Sequence, residues 1–97
     1  MTVYFAVRVK IKDREAYDRY SDAFMGVFSK FDGTMLAADF DPVVIDGEWE
    51  HDRFVLMSFP DEQSLRVWLT SAEYQEIAAD RIAGATTNAI IAKGLDA

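Results

Sequence analysis

The stretch RFVLMSF, Arg53 to Phe59, decides the fold of this 97-residue chain. Its side chains alternate between the two faces of a strand, so Val55, Met57 and Phe59 share one face while Phe54, Leu56 and Ser58 share the other. Both faces are apolar. Leaving such surface in water costs about 25 cal/mol per Å², so a sheet containing this strand must be covered twice. The rest of the chain has to supply those covers or recruit them.

Upstream, Phe5, Val7, Val9 and Ile11 alternate with Tyr4, Ala6, Arg8 and Lys10, which predicts a half-buried strand from Val3 to Ile11. Asp13 is placed to cap a helix, its carboxylate accepting backbone N–H bonds. The helix carries Tyr17, Tyr20, Phe24, Val27, Phe28 and Phe31 on one stripe. Gly33 is expected to end it as a left-handed residue, and Gly26, which lowers helix propensity, to mark a close packing contact. TMLAADF (34–40) reads as a second strand, and Pro42 and Gly47 in DPVVIDGEWEHD (41–52) as turn residues of an elaborated hairpin.

Downstream, Pro60 ends the Arg53–Phe59 strand and Asp61 caps a second helix with Leu65, Trp68, Leu69 and Ala72 facing inward. Thr70 or Ser71 is an internal N-cap, with Glu73 in the turn that follows, so this helix is expected to break and restart on a rotated face. Thr86 to Gly94 forms the last strand. The order is β-α-β-β-α-β in a single domain, residues 1–97: an α+β, ferredoxin-like fold with a four-stranded antiparallel sheet and two helices on one face. Two helices cover only one face. Ile90 and Ile91 also point to opposite faces, so a second copy of the chain, docked sheet to sheet as a homodimer, is the expected second cover.

Composition narrows the function classes. The net charge is −7, from 17 acidic and 10 basic residues, which repels phosphate backbones and anionic membranes. No nucleic-acid or membrane partner is expected. No apolar run approaches the ~20 residues of a membrane span, and MTVYFAVRVK alternates where a signal peptide would be continuously apolar. A cytoplasmic protein is the expectation. The chain has no cysteine, so disulfides and thiolate metal sites are excluded. With no glycine-rich phosphate loop and no HExxH, no cofactor and no metal are expected.

The segments DREAYDRY, DGTML, IDGEWEHDRFVLMSFP and above all WLTSAEYQEIAADR (Trp68 to Arg81) resemble the domain-of-unknown-function family 1330, over nearly the whole chain from Tyr4 to Gly94. The chain departs from that family's pattern at Asp32-Gly33, where a glycine pair is common, and at His51, where proline is common. The resemblance implies a dimeric α+β barrel, formed when the sheets of two ferredoxin-like monomers pair. It implies no activity. The wider superfamily spans cofactor-independent monooxygenases, haem-degrading enzymes, an isomerase and ligand-sensing domains, so fold alone does not transfer a function.

Candidate site residues lie chiefly on the second helix. Tyr74, Ile77, Ala78 and Arg81 share a stripe, which puts an arginine on an apolar row where it needs a carboxylate, a carbonyl or a bound anion. Either Arg81 closes an internal salt bridge and Tyr74 is core, or the two hold a small ligand together with Ser71. Trp68 is a core residue by spacing and a ligand platform by chemistry. Trp49, in an acidic turn-rich segment, reads as a cavity lid or a dimer contact. Tyr4 and Arg8 share a strand face that, turned toward a barrel, would line the space between sheets, with Asp39 beside them. His51 is the sole histidine and has no spaced metal-binding partner. Two functions fit these residues: a module binding a small apolar or carboxylate-bearing ligand between the sheet and the second helix, and a cofactor-independent monooxygenase or isomerase acting on an aromatic or enolisable substrate.

Overall fold

In a computed structural model, residues 1–96 are described. Strand β1 (Val3–Ile11) is followed by α1 (Arg14–Phe28), β2 (Thr34–Asp39), β3 (Arg53–Phe59), α2 (Glu62–Leu69), α3 (Ala72–Gly84) and β4 (Ala85–Lys93). The sheet order is β2-β3-β1-β4 with every pairing antiparallel, the ferredoxin-like arrangement. The second helix of the sequence reading is two helices. Ser71 caps α3 by accepting the Tyr74 N–H at 3.1 Å while its hydroxyl donates to the Trp68 carbonyl at 2.7 Å. That pair of bonds satisfies groups at both the end of α2 and the start of α3, which is why the chain turns there.

Each alternating strand puts one set of side chains under the helices. Val3, Phe5, Val7 and Val9 of β1 and Val55, Met57 and Phe59 of β3 are buried there, against Tyr17, Tyr20 and Phe28 of α1, Leu65 and Trp68 of α2, and Tyr74 and Ala78 of α3. Trp68 is the hub: its ring stacks on Phe59 at 5.6 Å and meets Phe5, Phe24 and Phe28 edge-on. On the other face Tyr4, Ala6, Phe54 and Leu56 are half-buried, and Ile90 is 63% exposed.

Neither of two glycines plays the role expected of it. Helix α1 stops at Phe28, three residues before its apolar stripe ends, and closes in a tighter turn as the Lys30 and Phe31 N–H groups donate to Val27 and Phe28. Gly33 does not adopt a left-handed conformation, since Gly47 alone has positive φ among the described residues. A Cβ on Gly33 would instead lie 2.5 Å from the Phe28 ring and 2.7 Å from that of Phe59, so Gly33 is the close-packing glycine. Gly26 is exposed and a Cβ on it would meet nothing within 4 Å outside its own helix turn, so no close packing requires a glycine there.

Candidate functional site

Between the sheet and the three helices lies a cavity of about 640 Å³. Its floor is three rows of side chains running across β3, β1 and β4. One row is Met57, Phe5 and Ile91; the next is Val55, Val7 and Ala89; the last is Arg53, Val9 and Thr87. The rows step along the strands by about 6.6 Å, so the first and last are ~13 Å apart. The first row, roofed by Trp68, Leu69 and Phe24, is an apolar end. The last row makes a polar end, where Tyr17, Ser21 and Arg81 also line the wall.

The polar end holds two guanidinium groups. Arg53 Nη1 donates to the Tyr17 hydroxyl at 3.0 Å and approaches the Ser21 hydroxyl at 3.4 Å, and its guanidinium lies 4.5 Å from the Phe40 ring centroid. Arg81 reaches over from α3 and donates from Nη1 to Thr87 Oγ1 at 3.0 Å. The internal salt bridge considered for Arg81 is therefore replaced by a neutral partner. Arg14, Arg19 and Arg66, by contrast, each pair with a carboxylate. The Nε atoms of Arg53 and Arg81 are buried without a partner among the described residues.

Between the two ends the Tyr20 and Tyr74 hydroxyls share a buried hydrogen bond of 2.9 Å. Burial, above all, pushes the Tyr20 hydroxyl well above the ordinary phenol range; Tyr74 adds to the shift and Arg81 opposes it. Tyr20 thus stays protonated and serves as a hydrogen-bonding group. The donor inventory is lopsided. Tyr17 accepts from Arg53 and keeps its own proton to give, one proton of the Tyr20–Tyr74 pair is also left over, and no aspartate or glutamate lines the cavity. Such a site suits a ligand rich in acceptor oxygens.

The structure brings together some of the expected residues and disperses others. Trp68, Tyr74 and Arg81 line the cavity. Ser71 does not, because its hydroxyl is committed to joining α2 and α3. Tyr4 and Arg8 lie outside the cavity on the opposite face of β1, since their neighbours Phe5, Val7 and Val9 take the helix-facing phase. Asp39 pairs with Phe54 in that face's register. Trp49 is half-buried against Phe54, 6.2 Å between centroids, and against His51 at 5.2 Å, so it covers the outer sheet face and is no lid of this cavity.

Sequence reasoning missed Arg53, Tyr17 and Tyr20. The signal for Arg53 was available: it stands in phase with Val55, Met57 and Phe59, as Arg81 stands in phase with Tyr74.

Among solved structures, the chain is similar to a protein of unknown function from Rhodopseudomonas palustris, with a TM-score of 0.82 at 17% identity, covering 97% of this chain and 82% of that one. A dimeric ferredoxin-like protein of unknown function from Jannaschia sp. CCS1 gives 0.78 at 13%, covering 97% and 100%. SnoaB, a cofactor-independent oxygenase from Streptomyces nogalater, gives 0.69 at 13%, covering 96% and 92%. At these identities the likeness is one of fold. No curated protein matches the chain. A family model matches residues 2–95, nearly the full length, and the chain belongs to that family, the domain of unknown function DUF1330.

Proposed function

We propose that the protein is a homodimeric module that binds a small molecule with an apolar body and a carboxylate head in the cavity between sheet and helices. The observation that carries this reading is the pair Arg53 and Arg81, two guanidiniums lining an apolar cavity that no carboxylate of the described residues lines. Their planar donor forks match a carboxylate, while the Trp68 end would bury a ring or a short chain. Second-copy docking on the outer face is supported by its half-buried Phe54 and Leu56, its exposed Ile90 and the dimeric fold relatives.

Isothermal titration of 3-phenylpropanoate against its neutral counterpart, 3-phenylpropan-1-ol, tests the binding reading. The acid is expected to bind at least about tenfold more tightly than the alcohol, since charge-assisted bonds contribute ~1.5–3 kcal/mol. Equal binding would sink it.

A second reading, cofactor-independent oxygenation or isomerisation, draws support from the Tyr20–Tyr74 hydroxyl pair beside a cationic end, an arrangement that would stabilise an enolate. It needs a base to form that enolate. No histidine, aspartate or glutamate lines the cavity, and a protonated Tyr20 is no substitute. Oxygen uptake with a phenolic carboxylate and no added cofactor would overturn the binding-only reading.

A further inference from the structure

If the cavity takes an anionic head, as proposed above, its charge balance says more about what that head is. Arg53 and Arg81 are both half-buried and both permanently protonated. Three acids that adjoin Arg53, Arg81 or Tyr17 in the chain have other partners. Asp80 pairs with Arg19 and Asp18 with Arg14. Asp52, the chain neighbour of Arg53, accepts the Ile11 N–H at 2.7 Å and lines a separate small pocket with Arg14 and Phe40. The partners the two guanidiniums do have, Tyr17, Ser21 and Thr87, are neutral hydroxyls that orient charge without cancelling it.

The register places Arg53 and the partner of Arg81, Thr87, in one row. Arg53 and Thr87 each pair with Val9 from opposite sides, so their backbones lie roughly 10 Å apart across β1. Arg81, tied to Thr87, is thereby held at the row that contains Arg53, and both line the same cavity. One carboxylate there would leave a net positive charge in a partly desolvated site, and uncompensated charge in such surroundings is costly. This happens in a chain of net charge −7, whose other cavity-facing residues carry no charge at all.

We propose that the head group this site takes is a dianion, either two carboxylates on one carbon or a phosphonate-like group, carried on a single apolar body. A dianion neutralises both guanidiniums and accepts the spare Tyr17 proton at the same time. Its two negative charges also match the absence of any acidic residue from the lining.

The test titrates the intact wild-type protein with four probes of nearly one shape: 3-phenylpropan-1-ol, 3-phenylpropanoate, benzylmalonate and 2-phenylethylphosphonate, in buffer alkaline enough to doubly ionise the last two. At least one dianion is expected to bind about tenfold or more tightly than the monocarboxylate. A preference for the malonate alone identifies a spread dicarboxylate, and for the phosphonate alone a compact head; both support the proposal. In Arg53→Gln and in Arg81→Gln the preference for dianion over monoanion is expected to fall to about one. Dianions that bind wild-type protein no more tightly than 3-phenylpropanoate would overturn the dianion while leaving the anion site standing. If none of the three acids outbinds the alcohol, the anion site itself is wrong and the dianion goes with it. The wild-type series decides these outcomes even if a variant fails to fold.

Discussion

The two faces of the sheet are built from the same alternating strands, yet they solve burial differently. Under the helices, β1 and β3 contribute seven buried side chains, Val3, Phe5, Val7, Val9, Val55, Met57 and Phe59. On the outer face, one residue out of phase, Tyr4, Ala6, Phe54 and Leu56 are only half-buried and Ile90 stands in solvent. The first face is completed within the chain; the second has the composition of an interface whose other half is elsewhere. On the proposed homodimer, a strand apolar on both faces encodes two separate events, folding and association, and substitutions should separate them.

Trp68→Ala is expected to produce the largest effect. It removes the ring that Phe5, Phe24, Phe28, Phe59 and Tyr74 all touch, and a buried tryptophan truncated to alanine costs about 3–5 kcal/mol. Urea unfolding should show that loss at constant assembly state. Leu56→Arg, on the opposite face, should do the reverse. It places a charge where sheet would meet sheet, so light scattering should report a monomer while circular dichroism stays that of the folded chain. If Leu56→Arg remained dimeric, the outer face would not be the interface and the comparison would fail.

The covered face was largely legible in the sequence, and the site on it only partly. Alternation in β1 and β3 and the stripe on α1 are periodic signals, and periodic signals report burial. The break at Ser71 was legible too, because a cap is a local chemical event. Gly26 and Gly33 were not. Whether a glycine serves a helix end or a ring packed against it depends on what lies across the fold, here Phe28 and Phe59 on Gly33. Tyr4 and Arg8 were readable as sharing a face, and the structure puts them on the outer face, the side on which a space between two sheets would lie. The phase of Arg53 was legible but its company was not: only the pairing Arg53–Val9–Thr87 puts it in the row that holds the partner of Arg81.

A smaller effect should come from the joint that carries Arg81 to the cavity. Ser71→Ala removes the hydroxyl that accepts the Tyr74 N–H and donates to the Trp68 carbonyl. Loss of such an N-cap typically costs about 1 kcal/mol. The unfolding free energy read from urea titration should fall by that amount. Because α3 then frays next to Tyr74, affinity for 3-phenylpropanoate should fall with it, although Ser71 does not line the cavity. A stability loss with unchanged affinity would show that the joint holds the covered face together without positioning the site.

The smallest effect lies at the start of α2, where pH can be used to separate charge from hydrogen bonding. Asp61 caps the helix by accepting the Ser64 N–H at 2.7 Å, and that bond holds its carboxyl below the usual carboxylate range. A carboxylate with a depressed folded pKa stabilises the fold above its unfolded value, about 4, and that contribution is lost as pH falls through the folded value. An asparagine in its place would keep an acceptor for Ser64 and lose the charge that favours a helix N-terminus. In Asp61→Asn the urea midpoint should therefore lie below wild type at pH 7, and the gap should narrow toward pH 3, as wild-type Asp61 approaches neutrality. A gap of the same size at both pH values would mean that the hydrogen bond, and not the charge, is what Asp61 contributes. The cap of α2 would then resemble that of α3, where Ser71 works with no charge at all.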